Sequence, residues 1–444
     1  MTLRPAHHLL LNRWQAARAH TDQLFELVRP EAMTDRPIPE RHRIIFYLGH
    51  LEAFDWNLVA RQVLGLGAMD EEFDTLFAFG IDPVDGSLPT DQPSDWPARE
   101  QIETYNRKVR ERLDREVVRA LASPGAPEYL REGTVLHAAI EHRLLHAETL
   151  AYMLHQLPLD RQNRPRAAQP PSVDRLVQHP LPMVPIPAGT ATLGRRRAPE
   201  HGFGWDNEFE QHTVAVPAFA IDPFNVTNGD YLEFLRAGGY QERSFWMDDD
   251  WNWIRRAGIS HPTFWVERRG RWYLRTMFDE IPLPLGWPVY VSHAEASAYC
   301  RWAGKALPTE AQFHRAAYGT PEGREREYPW GDAPPASTHG NFDFQRWDPV
   351  PVGTFPAGHS AFGVADLVGN GWEWTSTRFE PFEGFQSYPF YPGYSANFFD
   401  GKHYVLKGGS ARTAACLLRR SFRNWFQPHY PYVYATFRGV RNTE

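Results

Sequence analysis

Apolar residues recur at helical spacing through the first third of the chain, in long segments separated by short breaks rich in proline, glycine and aspartate. The pattern predicts four amphipathic helices, over residues 5–29, 41–65, 98–122 and 133–156. Four helices of that length, with connections between them, favour a four-helix bundle. The interior of such a bundle is a common place for a metal held by facing helices.

The pattern changes after residues 157–182, a proline-rich stretch that we interpret as a linker between a bundle domain at 1–156 and a second domain at 183–444. The second domain is rich in glycine, proline and tryptophan, and its predicted regular elements are few. They include short β-like runs such as residues 213–219 and 404–407, and two clear helices at residues 228–237 and 293–303. Loops dominate the rest, and loops on a rigid scaffold often carry binding groups.

The composition is that of a globular protein, with 42% hydrophobic and 23% charged residues in 444. A chain of this length predicts two domains with substantial cores. The net charge of -7 offers no basic surface for a phosphate backbone, and no run of Lys or Arg suggests an anionic membrane. We therefore expect neither nucleic acid nor a membrane as a partner.

The N-terminal segment MTLRPAHHLLLNRWQAARAH is interrupted by polar residues and lacks the apolar core of a signal peptide. No other stretch reaches transmembrane length. The two cysteines, Cys300 and Cys416, lie far apart in sequence, which excludes a disulfide framework. These features predict a cytoplasmic protein.

Two histidines, His142 and His146, are four residues apart in LHAAIEHRLLHAETLAYM. On a helix both rings leave the same face and can bind one ion. The row that contains them is otherwise apolar, so the rings should face the bundle interior, where unpaired imidazoles are costly and metal ligation supplies an explanation. His137 lies on a different face of the same helix and is a possible decoy.

A third ligand should come from another helix, and His50 in FYLGHLEAFDWN is flanked by a row of core residues. Three neutral imidazoles leave about three open positions on an octahedral ion, which suits Fe(II) with O2 and substrates. Zinc is the rival metal. A structural zinc would be closed by a fourth ligand, and no cysteine lies near these histidines in sequence.

The helical half resembles a DinB-like bundle with an H-x-x-x-H-x-E signature, here His142, His146 and Glu148. The second half resembles a C-type-lectin-like, formylglycine-generating-enzyme-type domain. Its motifs are FAIDPFNVTNGDYLEFL, PVYVSHAEASAYCRWAGKALPTEAQFHRAA, YPWGD, GVADLVGNGWEWT, LKGGSART and FRGVR. The combination is similar to the ergothioneine-type sulfoxide synthases and the related selenoneine synthases, and it covers nearly the whole chain.

The resemblance implies Fe(II)- and O2-dependent bond formation at the imidazole C2 of hercynine, the trimethyl betaine of histidine. It implies substrate contacts from Asn424 and Trp425 in SFRNWFQPHY, since a quaternary ammonium favours aromatic faces. A plain core role for Trp425 is the alternative. The family's tyrosine matches GFQSYPFYPGYS, so Tyr388 or Tyr391 is the candidate catalytic residue, and Glu148 is a candidate support for the ligands.

Several positions depart from the branch that uses γ-glutamylcysteine. That branch places arginines after the second helix, whereas FAFGIDPVDGSL has none and instead carries Asp82 and Asp85 beside Pro83 and Gly86. Its acidic residue after N-W is Phe426 here, its downstream arginine is Tyr430, and its glutamine beside the second ligand is Leu145. An anionic donor would be repelled by the aspartates. We therefore expect a selenosugar donor, bound in part by Asp82 and Phe426, with cysteine or another thiol as the alternative.

The copper-binding cysteine pair of formylglycine-generating enzymes is missing, with Thr413 and Leu418 in its place, and we interpret Cys416 as a buried small hydrophobe. The second domain is thus expected to contact substrates rather than to hold its own metal. Two other functions stay open. A non-catalytic binding module could use the same scaffold, and a metal-dependent thiol transferase would keep the histidines without needing the second domain.

Overall fold

A computed structural model describes residues 3–79, 88–165, 168–175, 181–198 and 202–442. The chain forms two compact units. The bundle unit comprises Met1–Ala167 together with Tyr388–Tyr391, and the C-terminal unit comprises Ala168–Ser387 with Pro392–Glu444. The expected fold class is confirmed, because a helical N-terminal domain is followed by a loop-rich domain that contains sheets.

The bundle unit is built on four long helices. They are α1 (Pro5–Phe25), α2 (Ile44–Asp55), α4 (Arg99–Leu121) and α6 (Thr134–His155), with the shorter α3 (Glu71–Phe79) and α5 (Glu128–Arg131) between them. α1 packs against α6, while α2 contacts α3, α4 and α6. α2 therefore lies against most of the bundle. Its buried residues, between Ile44 and Asp55, include apolar, aromatic and acidic side chains.

Two predictions for this half need correction. The second helix does not run as one α-helix over residues 41–65, because α2 gives way to π-helical backbone at Trp56–Val63. The side-chain pattern alone does not distinguish these two hydrogen-bonding schemes. In addition, α3 occupies a segment for which no helix was expected, since Glu71–Phe79 is too short for a strong periodic signal.

The strands of the C-terminal unit are β1 (Val184–Ile186), β2 (Gly189–Leu193), β3 (His212–Val216), β4 (Phe219–Ile221), β5 (Trp265–Arg268), β6 (Arg271–Arg275), β7 (Glu280–Pro282), β8 (Gly371–Arg378), β9 (Tyr404–Gly409), β10 (Asn424–Phe426), β11 (Ala435–Thr436) and β12 (Val440–Asn442). In the described part of this unit they form four small sheets. One is three-stranded in the order β1-β4-β12, one is four-stranded in the order β10-β9-β8-β11, β2 pairs with β3, and the last has the order β5-β6-β7.

The predicted β-run over residues 213–219 is two strands, β3 and β4, because Pro217 lies between them and cannot donate to a ladder. The described part of this unit also has more helices than the two expected. They are α7 (Asn228–Arg236), α8 (Asp248–Ala257), α9 (His293–Trp302) and α10 (Glu310–Tyr318). α10 carries a helix-start signal, since Thr309 caps its N-terminus by accepting a hydrogen bond from the backbone N–H of Gln312.

The core of the C-terminal unit joins sheet and helix. Ile186, Phe219 and Ile221 pack with Phe313 of α10 and Val440 of β12. The same unit contains a fully buried ion pair, in which Arg438 donates to both carboxylate oxygens of Glu373 at 2.7 and 2.6 Å. Among the described residues, no helix combines the length and apolar character that a bilayer-spanning segment requires.

Candidate metal centre

The three predicted ligands converge in the bundle unit. His50 projects from α2, and His142 and His146 project from α6 one turn apart. One potential ligand atom from each of the three histidines lies within 4.8 Å of the others. In the described part of the chain, no cysteine or carboxylate joins this group. Within the described ranges, the arrangement is a set of three imidazoles without a fourth protein ligand.

The tautomer of His50 follows from its surroundings. Its Nδ1 lies 2.7 Å from the backbone carbonyl oxygen of Phe77 in α3. A carbonyl oxygen only accepts, so Nδ1 carries the hydrogen and Nε2 keeps its lone pair. This bond is of the kind that orients metal-ligating histidines. The Nε2 atom then faces Nε2 of His146 at 3.3 Å.

Burial favours the neutral form of all three rings. His142 is buried, whereas His50 and His146 are partly exposed. Loss of hydration lowers the pKa of His50 to about 4. The pKa values of His142 and His146 are well below the usual value for histidine, first because of desolvation and then because neighbouring imidazoles repel a second positive charge. Neutral imidazole is the form that binds a metal.

These residues fit a divalent transition metal. Two nitrogens bound to one ion at about 2.0–2.1 Å and at right angles are about 3 Å apart, close to the separation of the His50 and His146 Nε2 atoms. Among the described residues, the Nδ1 atoms of His142 and His146 are buried and have no hydrogen-bond partner. The partial exposure of His50 and His146 leaves one side of the group open.

Aromatic rings line the histidines. Phe46 stacks on His50 with a centroid separation of 4.8 Å, and Phe54 stacks on His142 at 3.3 Å. The ring of Tyr391, which belongs to the same unit, lies edge-on to Phe54 at 5.2 Å and to His142 at 6.3 Å. Of the two tyrosine candidates, Tyr391 is thus placed beside a predicted ligand. The ring of Tyr388 stacks on Phe390 at 4.9 Å.

Glu148 is buried on α6. It follows His146 by two positions, and helical side chains at that spacing do not face each other. Its role as a support for the ligands stays a prediction. Asp82, with the neighbouring segment Pro83–Gly86, lies outside the residues that the structure describes.

The predicted betaine contacts lie on β10 of the C-terminal unit, at one edge of the four-stranded sheet. Trp425 is half-buried and stacks on Phe379 at 4.2 Å, with Tyr394 and Phe398 at 5.4 and 5.5 Å. The side-chain oxygen of Asn424 accepts a hydrogen bond from the backbone N–H of Trp425. Trp425 is therefore the centre of a partly exposed aromatic group, which suits both a cation-binding role and a packing role.

Phe426 stacks on Tyr430 with a centroid separation of 5.5 Å and only 5° between the planes. These two residues stand where the resemblance places an acidic residue and an arginine. Cys416 is partly exposed, which corrects the expectation that it is buried. It lies on a short 3-10 turn, Ala415–Leu417, in which Leu417 takes the inward position.

Sequence reasoning missed two features of the centre. The first is the carbonyl of Phe77, which holds His50. The second is a group of buried charges beside the ligands, Glu52, Asp55 and Arg143. A signal for that group was present, since charged residues at core-facing positions need partners and Arg143 directly follows His142.

Both halves of the chain match known protein families. The sequence profile of the DinB superfamily matches residues 13–150. Hercynine oxygenase from Mycobacterium tuberculosis is 41% identical over 239 residues, covering 53% of this chain and 55% of the relative. Ergothioneine biosynthesis protein 1 from Neurospora crassa is 29% identical over 518 residues, covering 97% of this chain and 57% of the relative. The chain thus spans about half the length of these curated relatives.

The profile described as sulfatase-modifying factor enzyme 1-like domain matches residues 170–443, which is more than half of the chain. Formylglycine-generating enzyme from Mycobacterium tuberculosis is 31% identical over 246 residues, covering 45% of this chain and 75% of that relative. The chain therefore belongs to the family of proteins with a sulfatase-modifying factor enzyme 1-like domain, which is here preceded by a DinB-superfamily domain.

Proposed function

We propose that this protein is a non-heme iron enzyme that uses O2 to join a thiol donor to the imidazole C2 of hercynine, as ergothioneine-type sulfoxide synthases do. The observation that carries the proposal is the convergence of His50, His142 and His146 on one open point beside Tyr391. Relatives named for hercynine oxygenation and ergothioneine biosynthesis, together with the pairing of the two domains, support this acceptor.

The residues of the centre take distinct roles in this proposal. The three histidines would hold Fe(II), and the carbonyl of Phe77 keeps the hydrogen of His50 on Nδ1 so that Nε2 stays available. Bound iron would supply O2 activation and an attachment point for both substrates. Phe54 excludes water from one face of His142. Tyr391, whose ring lies beside His142, would supply a hydrogen-donating hydroxyl group at this centre.

The overall reaction balances with O2 as the oxidant. The C2–H bond of hercynine and the S–H bond of the donor are broken, and a C–S bond and an S=O bond are formed. One oxygen atom enters the sulfoxide and the other leaves as water. The two substrates together lose the four electrons that O2 gains, so no further reductant is required.

A selenosugar, the donor that the sequence analysis favours, is the second candidate. The names of the relatives favour sulfur, which is why a thiol comes first. The observation that favours the selenosugar is the apolar stack of Phe426 on Tyr430, at positions where the resemblance expects charged contacts to an anionic donor. A neutral donor avoids burying an unpaired carboxylate there. Both candidates predict poor use of γ-glutamylcysteine.

The test is an aerobic competition with Fe(II)-reconstituted protein, hercynine and equal amounts of cysteine, γ-glutamylcysteine, a thiosugar and a selenosugar. Mass spectrometry identifies the C2-linked products. We expect a hercynine–thiol sulfoxide, with γ-glutamylcysteine used at least tenfold less well than the best donor, a difference that corresponds to about 1.4 kcal/mol. The protein with His142→Ala is the control for metal-dependent turnover.

The alternative outcomes separate the rival functions. A dominant C–Se product would replace the thiol by the selenosugar while leaving the acceptor in place. Iron binding without product from any donor would reject the hercynine acceptor and favour the binding-module function. Thiol transfer to an acceptor other than hercynine, retained by the bundle domain alone, would favour the transferase.

A further inference from the structure

A buried ion cluster lies directly beside the candidate ligands. Arg143 of α6 donates to Glu52 Oε2 at 2.6 Å and to Asp55 Oδ2 at 2.8 Å, both on α2. It also donates to the backbone carbonyl oxygen of Leu51 at 2.9 Å. Each of the three charged side chains is at most 1% exposed. The guanidinium therefore joins the two helices that carry the histidines.

The cluster reaches the other two long helices. On α4, Arg110 donates to Glu52 at 3.0 Å and to Asp22 of α1 at 2.8 Å. Trp14 of α1 donates its indole N–H to Asp55 at 2.9 Å. All four long helices thus meet at one set of charges.

Stability alone is a weak reason for such a cluster. Removing two charges from water is expensive, and apolar residues of similar volume often replace buried ion pairs without loss of stability. The attested use of buried polar groups is to select one arrangement of packed helices.

The charged residues of the cluster lie next to the candidate ligands in the sequence. Arg143 directly follows His142, and Glu52 lies two residues after His50. A turn of α6 about its axis that moves His142 also moves Arg143 relative to Glu52 and Asp55 on α2 and disturbs both contacts. A rotation of about 20° would displace an atom some 5–6 Å from the helix axis by about 2 Å. That displacement is as long as a metal–nitrogen bond of about 2 Å.

We propose that Arg143, Glu52 and Asp55 are positioning residues for the metal centre, which hold α6 against α2 in the one rotation and register at which the three histidines converge. The inference rests on the proposed metal role of those histidines. It assigns a function to residues that do not touch the metal or the substrates.

Metal affinity tests the proposal independently of turnover. Co(II) is titrated against a competing chelator, its visible absorption reports the ligand geometry, and thermal unfolding is recorded for the metal-free protein. The variants are Glu52→Gln, Arg143→Met and Arg143→Lys. The matched control is Glu373→Gln, which breaks the equally buried Arg438–Glu373 pair of the C-terminal unit.

We expect Glu52→Gln and Arg143→Met to weaken Co(II) binding at least tenfold and to change its absorption spectrum. Arg143→Lys keeps the charge but loses the planar fork, so its affinity should fall between theirs and that of the unaltered protein. Glu373→Gln should lower the unfolding temperature while its Co(II) affinity and spectrum stay the same. The double variant Arg143→Met/Glu52→Met removes one buried cation together with one buried anion, and Arg18 stays 3.9 Å from the remaining Asp55 carboxylate. It should therefore fold, yet bind Co(II) weakly.

Unchanged Co(II) affinity and spectrum in the folded double variant would overturn the proposal and leave the cluster a purely structural role. An equal loss of affinity in Glu373→Gln would do the same, because it would trace the effect to general destabilisation. Failure of the unaltered protein to bind Co(II) is a different result, since it rejects the metal centre itself and with it the proposed function.

Discussion

Phe54 lies flat on His142, with the ring centroids 3.3 Å apart and 8° between the planes. Stacking restrains the rotation of the imidazole, so packing fixes the orientation in which His142 would bind a metal. An aromatic pair contributes about 0.5–1.5 kcal/mol beyond its buried area. Phe54→Leu should therefore weaken Co(II) binding on the order of 2- to 10-fold, as measured by chelator competition.

The control for this prediction is Phe245→Leu, which removes a half-buried ring of the C-terminal unit. It should leave Co(II) affinity unchanged. Wild-type affinity in Phe54→Leu would show that the stack does not contribute to ligation.

Gly49 gives a second way to disturb the centre through packing. A Cβ atom at Gly49 would lie 2.5 Å from ring carbons of the fully buried Phe77, whose carbonyl accepts the hydrogen bond from His50. Gly49→Ala should therefore push α3 away, lengthen that bond and lower both metal affinity and unfolding temperature. The double variant Gly49→Ala/Phe77→Leu makes room for the new methyl group and should recover part of the affinity.

Gly67→Ala is the matched control, because a Cβ atom at Gly67 meets nothing within 4 Å. Its metal affinity should equal that of the unaltered protein. If Gly49→Ala binds Co(II) normally, the contact between Phe77 and His50 does not govern the ligand.

The grouping of His50, His142 and His146 could be predicted because its signal is local. A spacing of four on an apolar helical row brings His142 and His146 to one face, and the buried residues that flank His50 place it in the interior. The carbonyl that orients His50 had no such signal, since every residue has a backbone carbonyl and only the packing of α3 brings that of Phe77 into reach.

Contacts between distant segments set the limit of prediction elsewhere. Nothing in the local pattern around Tyr391 indicates that it lies beside Phe54 and His142, so only the tertiary contacts distinguish it from Tyr388. Two helices that the sequence analysis does not predict, α10 and α3, also differ in how local their signal is. α10 has a capping box that could have been recognised, whereas α3 is short and is stabilised by its contacts with α2.

The two tyrosines can be separated by removing one hydroxyl group at a time. If Tyr391 donates a hydrogen during turnover, Tyr391→Phe should lower the rate of product formation by about 10²-fold or more, because general acid–base groups contribute about 10²–10⁴. Co(II) affinity should be normal, since the ring and its contact with Phe54 remain. Single-turnover product formation is the measurement.

Tyr388→Phe is the comparison, and it should affect the rate far less than Tyr391→Phe. A full rate in Tyr391→Phe would remove that residue from the mechanism. A large loss in Tyr388→Phe alone would transfer the role to Tyr388.

The last prediction concerns Trp425, whose ring stacks on Phe379 at 4.2 Å and stays half-buried. If its exposed surface contacts the trimethylammonium group of hercynine, Trp425→Ala should weaken hercynine binding by about 2- to 30-fold, the equivalent of roughly 0.5–2 kcal/mol. Trp425→Phe keeps an aromatic face and should bind with intermediate affinity. Calorimetry with hercynine measures the binding, and metal content should be normal in both variants.

The matched control is Trp330→Ala. Trp330 is another half-buried tryptophan, which stacks on Tyr328 at 5.0 Å, and its removal should leave hercynine affinity unchanged. If Trp425→Ala instead lowers the unfolding temperature while the remaining folded protein binds hercynine normally, Trp425 is a packing residue, and the betaine contact must be sought at Asn424 or elsewhere.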